Sequence, residues 1–130
     1  MRFDEVPDRA ENLARFIFST SHVNIGQRRI KPGAFLPSKD RLETSVFRTV
    51  DLHAASVQAL GVMVGQRSGG RNLKAWGDVL AGAVFDIDLD VRPDNDPERH
   101  AAIVGWPAQK DEQISLAQQL AAEAILRLPS

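Results

Sequence analysis

Hydrophobic positions along the chain fall into stretches of two different periods, and each period predicts an element. Ala10, Leu13, Ala14 and Ile17 recur at the i, i+3, i+4, i+7 spacing of one helical face, so Asp8 to Phe18 is predicted to be a helix, with Pro7 suited to its start. From Ser19 to Lys39 the residues Gly26, Pro32, Gly33 and Pro37 break every period, which predicts a long loop with a short strand around Arg29 to Phe35. Thr44 to Val50 is β-branched and aromatic and reads as a strand. Asp51 then suits an N-cap, and Leu52, Ala55, Ala59, Leu60 and Met63 share one side of a helix that Gly65 would end. Gly65 to Gly77 mixes four glycines with three cations and predicts a basic loop.

In the second half the pattern is sharper. Phe85, Ile87, Leu89 and Val91 alternate with Asp86, Asp88 and Asp90, the signature of a half-buried strand over Val84 to Val91. A Pro93 to Pro97 turn and an apolar run from His100 to Trp106 complete a predicted hairpin. From Asp111 onward Ile114, Ala117, Ala121, Ala124, Ile125 and Leu128 form one helical arc. This order predicts one α+β domain over residues 1–130, with a small, mostly antiparallel sheet packed on one face by two to three helices. The aspartate face would stay in water.

Composition narrows the function classes. The 130 residues are 43% hydrophobic and 25% charged, as in ordinary globular chains, and no apolar run approaches the roughly 20 residues of a membrane helix. The N-terminus lacks the apolar core of a secretory signal, so the expected location is the cytoplasm, with no membrane partner. The absence of cysteine excludes disulfides, thiol nucleophiles and thiolate metal sites.

The net charge of −1 is unevenly spread. Residues 1–75 carry 12 Lys and Arg against 7 Asp and Glu, whereas residues 76–130 carry 4 against 10. Basic residues concentrate in two segments, about 19–43 and about 65–77, which read as two basic loops able to face an anion. Arg28, Arg29, Lys31 and Arg71 belong to them, and Arg48 ends the 44–50 strand just before a helix N-terminus. A guanidinium beside such a terminus suits a bidentate phosphate or carboxylate, while an internal partner such as Glu43 or Asp51 would satisfy Arg48 equally well.

Three histidines are available for proton transfer. His22 and His53 lie near the basic loops and are the candidate acid/base residues, whereas His100 opens the last strand. None has metal-ligand spacing. Asp86, Asp88 and Asp90 would stand roughly 6.5–7 Å apart on one strand face, so a metal would need help from His100 or Glu98. A solvated acidic face is the plainer reading, and neither metal nor cofactor is expected. No Walker loop, dinucleotide fingerprint or nucleophile elbow is present.

The expected function is therefore a small module that binds a phosphate-bearing ligand, nucleotide or nucleic acid, between the two basic loops, with Arg48 as anchor. Alternatives are a protein-interaction module without catalysis, and a metal-independent nuclease or transferase using His22 or His53. Leu116 and Leu120 form a second apolar stripe on the last helix that would suit a homodimer.

Overall fold

The architecture comes from a computed structural model that describes residues 3–130. Its spine is a strand, β1 (Asn12–Ile17), hydrogen-bonded on both sides, antiparallel to β4 (Thr44–Arg48) and to β5 (Ala75–Leu80). With β6 (Asp90–Pro93), β7 (His100–Val104) and β8 (Ile125–Arg127) these build a six-stranded antiparallel sheet in the order β6-β7-β4-β1-β5-β8. A second, two-stranded sheet pairs β2 (Val23–Asn24) with β3 (Arg29–Ile30). Three α-helices complete the domain: α1 (Ala54–Arg67), α2 (Ala81–Asp86) and α3 (Lys110–Glu123). It is a single small α+β domain, and among the described residues no helix is long and apolar enough to cross a membrane.

The first predicted helix is a strand. β1 is central and buried on both faces, so its apolar residues Leu13, Ala14, Phe16 and Ile17 show no alternation. A short apolar run fits either period, and pairing with two neighbours decides it. Leu13 and Ile17 face one core and Ala14 and Phe16 the other.

The alternating Val84 to Val91 segment is corrected in the opposite sense. Residues 81–86 are helical, with Ala81 and Val84 buried one turn apart, and the strand begins only at Asp90. Asp88 sits at φ 63°, in the left-handed region that Asp tolerates better than most residues, and turns the chain between the two. The three aspartates are exposed but share no strand face, and Asp86 pairs with Arg9 at 2.8 Å. The predicted hairpin survives in shorter form, Asp90 facing Val104 and Pro93 facing Ala101.

Helices α2 and α3 cover one face of the sheet together with the 19–43 segment. That segment is not an open loop, because Val23, Ile30, Ala34 and Phe35 are all buried in the same core as Leu120 of α3. Leu116 packs against that core too, so the stripe assigned to a dimer faces inward. The arc predicted through Leu128 ends at Glu123, where the chain becomes β8.

Helix α1 lies on the other face. Its N-cap is His53 rather than Asp51, and it runs past Gly65 to Arg67. Val57, Gly61 and Gly65 form its buried stripe. A Cβ on Gly61 would come 2.7 Å from the Phe16 ring, and one on Gly65 would overlap the Arg71 carbonyl. The glycines thus let the helix backbone approach the sheet closely. It covers only part of that face, and a cleft remains beside it.

Candidate anion-binding cleft

The cleft beside α1 is floored by Phe16 and Phe47, each only 5% exposed, whose rings lie 5.5 Å apart and tilted by 41°. One wall is α1 with the turn after it, contributing Leu60, Met63, Val64, Arg67 and Arg71; the other is the β6–β7 turn, from Pro97 to His100. The enclosed volume is about 570 Å³, within the usual range of small-molecule sites. Four arginines, Arg15, Arg67, Arg71 and Arg99, border it against one carboxylate, Glu98.

Arg15 owes its place to a split in the sheet. β1 and β4 pair only at Leu13–Arg48 and Ala14–Phe47, although both strands continue past these residues. The Arg15 guanidinium fills the gap, donating to the Ala34 carbonyl at 2.6 Å and to the Ser45 carbonyl at 2.8 Å. It stands in for the missing ladder bonds. Burial, and then the charge of Arg71, push it down to about 10, still protonated at neutral pH. Sequence reasoning missed this residue because it sat in a predicted helix; its signal is a lone charge in a central strand.

The other arginines are held differently. Arg71 lies over the Phe18 ring, 4.5 Å from its centroid, a cation–π contact that positions it without neutralising it. Neither Arg71 nor Arg67 forms an ion pair among the described residues. Arg99 donates to the carbonyls of Arg48 and Val50, stacks on Phe3 at 4.7 Å and stands 3.6 Å from Asp51.

His100 brings proton chemistry to the cleft. Its ring meets Phe47 edge-on at 5.3 Å, and Nδ1 lies 2.7 Å from Asp94 Oδ1. Burial works against the Asp94 charge. The His100 hydrogen bond, the Asp96 N–H and the charges of His100 and Arg92 nonetheless hold the carboxyl below its ordinary value. An ionised carboxylate only accepts, so Nδ1 carries the donated proton and Nε2 of a neutral ring keeps its lone pair.

The residues singled out in the sequence are dispersed. Arg48 is 1% exposed and fully engaged inside the fold. Nε and Nη2 donate to the Glu11 carboxylate at 2.6 and 2.8 Å, and Nη1 donates to the carbonyls of Phe3 and Glu5. Its partner is Glu11, not Glu43 or Asp51, and it does not reach the cleft. Arg28 and Arg29 border a separate groove against Gln118 and Ala121 of α3, and Lys31 is exposed just beyond β3. The two basic segments therefore do not enclose one site. Of the predicted set only Arg71 lines the cleft.

His53 is exposed at the N-cap of α1, with no capping hydrogen bond from its side chain. His22 is half-buried against Gly33, and burial followed by the charge of Arg15 lowers it from its ordinary 6.5. Among the described residues no group of three or more His, Asp or Glu is placed to hold a metal. In comparisons with known proteins no family model matches the chain, and neither a curated protein nor a solved structure matches it.

Proposed function

We propose that this protein binds a phosphate-bearing ligand, a nucleotide or nucleic acid, in the cleft between α1 and the β6–β7 turn. The observation that carries the reading is the convergence of Arg15, Arg67, Arg71 and Arg99 around an aromatic floor with a single opposing carboxylate. Guanidinium groups suit phosphate oxygens bidentately. Arg67 and Arg71 are the cations that meet phosphate first, because no carboxylate among the described residues pairs with them. Arg15 and Arg99, tied to backbone carbonyls, supply fixed positive charge.

A thermal-shift screen against inorganic phosphate, mononucleotides, NAD and short single-stranded RNA tests this, repeated on Arg71→Ala and Arg67→Ala. A ligand that binds only the native state at about 100 times its Kd adds roughly 2.7 kcal/mol and raises Tm by several degrees. Both variants should lose most of the rise. If no ligand shifts the wild type, or both variants respond as it does, the reading fails.

A further inference from the structure

The His100–Asp94 pair is not needed for binding, and its place in the cleft points to chemistry. The imidazole is fixed at two points, by the 2.7 Å hydrogen bond to Asp94 and by the edge-on contact with Phe47, and its own backbone opens β7. Asp94 is set in turn by the Asp96 N–H at 3.2 Å and by Arg92 at 3.7 Å. A carboxylate on Nδ1 is the arrangement that leaves Nε2 able to take a proton and stabilises the imidazolium that results.

What the cleft can do with one base is limited by what surrounds it. It offers several cations, one oriented imidazole and no cluster of metal-ligating residues among those described. The chemistry that suits this set is one in which the substrate carries its own nucleophile beside the phosphate, as a ribose 2′-hydroxyl does. Charge also stands on both sides of the floor. The sheet order puts His100 on β7, Phe47 and Phe16 on β4 and β1, and Arg71 just before β5, so a strand crossing the cleft would meet Arg71 at one rim and His100 at the other.

Resting on the cleft as the ligand site, we infer that its substrate is single-stranded RNA and that His100, oriented by Asp94, removes the proton of a ribose 2′-hydroxyl to start transesterification. Nε2 takes that proton, the 2′-oxygen bonds to phosphorus, and the bond from phosphorus to the 5′-oxygen breaks. The departing oxygen takes a proton from water, and His100 returns its own to solvent. The products are a 2′,3′-cyclic phosphate and a 5′-hydroxyl, with nothing oxidised and no water consumed. Arg15 and Arg71 neutralise the phosphorane as charge builds on it.

The test uses the full chain in EDTA with three labelled strands of one sequence: RNA, DNA and 2′-O-methyl RNA. Binding is read by anisotropy and products by mass spectrometry. All three should bind, and only RNA should be cut, leaving cyclic phosphate ends. His100→Gln and Asp94→Asn, each checked for native circular dichroism, should bind RNA within about twofold of wild type. A lost general base slows the cut by about 10²-fold or more, and Asp94→Asn should fall between wild type and His100→Gln. RNA bound but left intact by the wild type, or cut by folded His100→Gln at the wild-type rate, overturns the inference while leaving the binding site in place. Failure of the wild type to bind any strand removes both.

Discussion

Arg48 and Arg15 stand on neighbouring strands and share one side-chain chemistry, yet their surroundings give them opposite roles. Arg48 meets a carboxylate inside the fold, and its bidentate pair with Glu11 is 1% and 5% exposed. Removing one partner leaves an uncompensated buried charge, which costs about 3–5 kcal/mol. Glu11→Ala should therefore lower the urea midpoint strongly, whereas an exposed pair such as Arg9–Asp86 can be cut with about 1 kcal/mol or less. Similar losses for Glu11→Ala and Asp86→Ala would show that the buried pair holds nothing together. Arg15 meets only carbonyls, so its charge persists and reaches His22. Because His22 titrates below its ordinary 6.5 in the folded protein, the unfolded chain binds more protons under acidic conditions. Stability should then be level above pH 6.5 and fall as pH drops through that value toward the lowered folded one. His22→Gln should lose less Tm than wild type between about pH 7.5 and pH 5.5; equal losses would detach His22 from the acid response.

At the scale of elements, the glycine stripe of α1 decides how close that helix comes to the sheet. A methyl at Gly61 meets the side chains of Phe16 and Leu73, which can shift, but one at Gly65 meets the Arg71 backbone, which cannot shift without moving the cleft wall. Overpacking of this kind costs about 1–3 kcal/mol. Gly65→Ala should be the more destabilising of the two and should weaken ligand binding as well, a result read by paired urea melts and titrations. The same elements show what the sequence made legible. The 44–48 strand was readable from its β-branched and aromatic residues, although Val46 and Phe47 bury both of its faces, and the two long helices from their helical spacing, although α1 buries Val57, Gly61 and Gly65 rather than the expected Ala55, Ala59 and Met63. β1 was not, since burial on both sides erases alternation. Residues 84–89 misled in the other direction, because their alternation was perfect while Ala81 and Val84 were drawn into the core as a helical turn. The site was mostly hidden for a related reason. Arg48 looked like a binding residue because its partner, Glu11, lies 37 residues away, and His100 joined the cleft only through pairing of β7 with β4.

For the molecule as a whole, the basic residues that clustered in the sequence are separated by the sheet. Arg28 and Arg29 belong to the α3 side, and Arg67 and Arg71 to the α1 side. Net charge cannot distinguish the two pairs, since each adds the same two positive charges to the total of −1. Local phosphate contacts can, because each cation that neutralises a phosphate displaces condensed counterions and steepens the fall of log affinity with log salt, by roughly 0.7 per phosphate on a single strand. Titrating labelled single-stranded RNA over a salt series should give a negative slope that becomes shallower by about one contact in Arg71→Ala and again in Arg67→Ala. Arg28→Ala and Arg29→Ala should leave both the slope and the affinity near wild type. A uniform weakening by all four substitutions would mean that RNA responds to the overall field rather than to the cleft, and loss confined to Arg28 and Arg29 would move the interface to the α3 face. A change in slope confined to Arg67 and Arg71 is the outcome expected of a strand lying in the cleft beside α1.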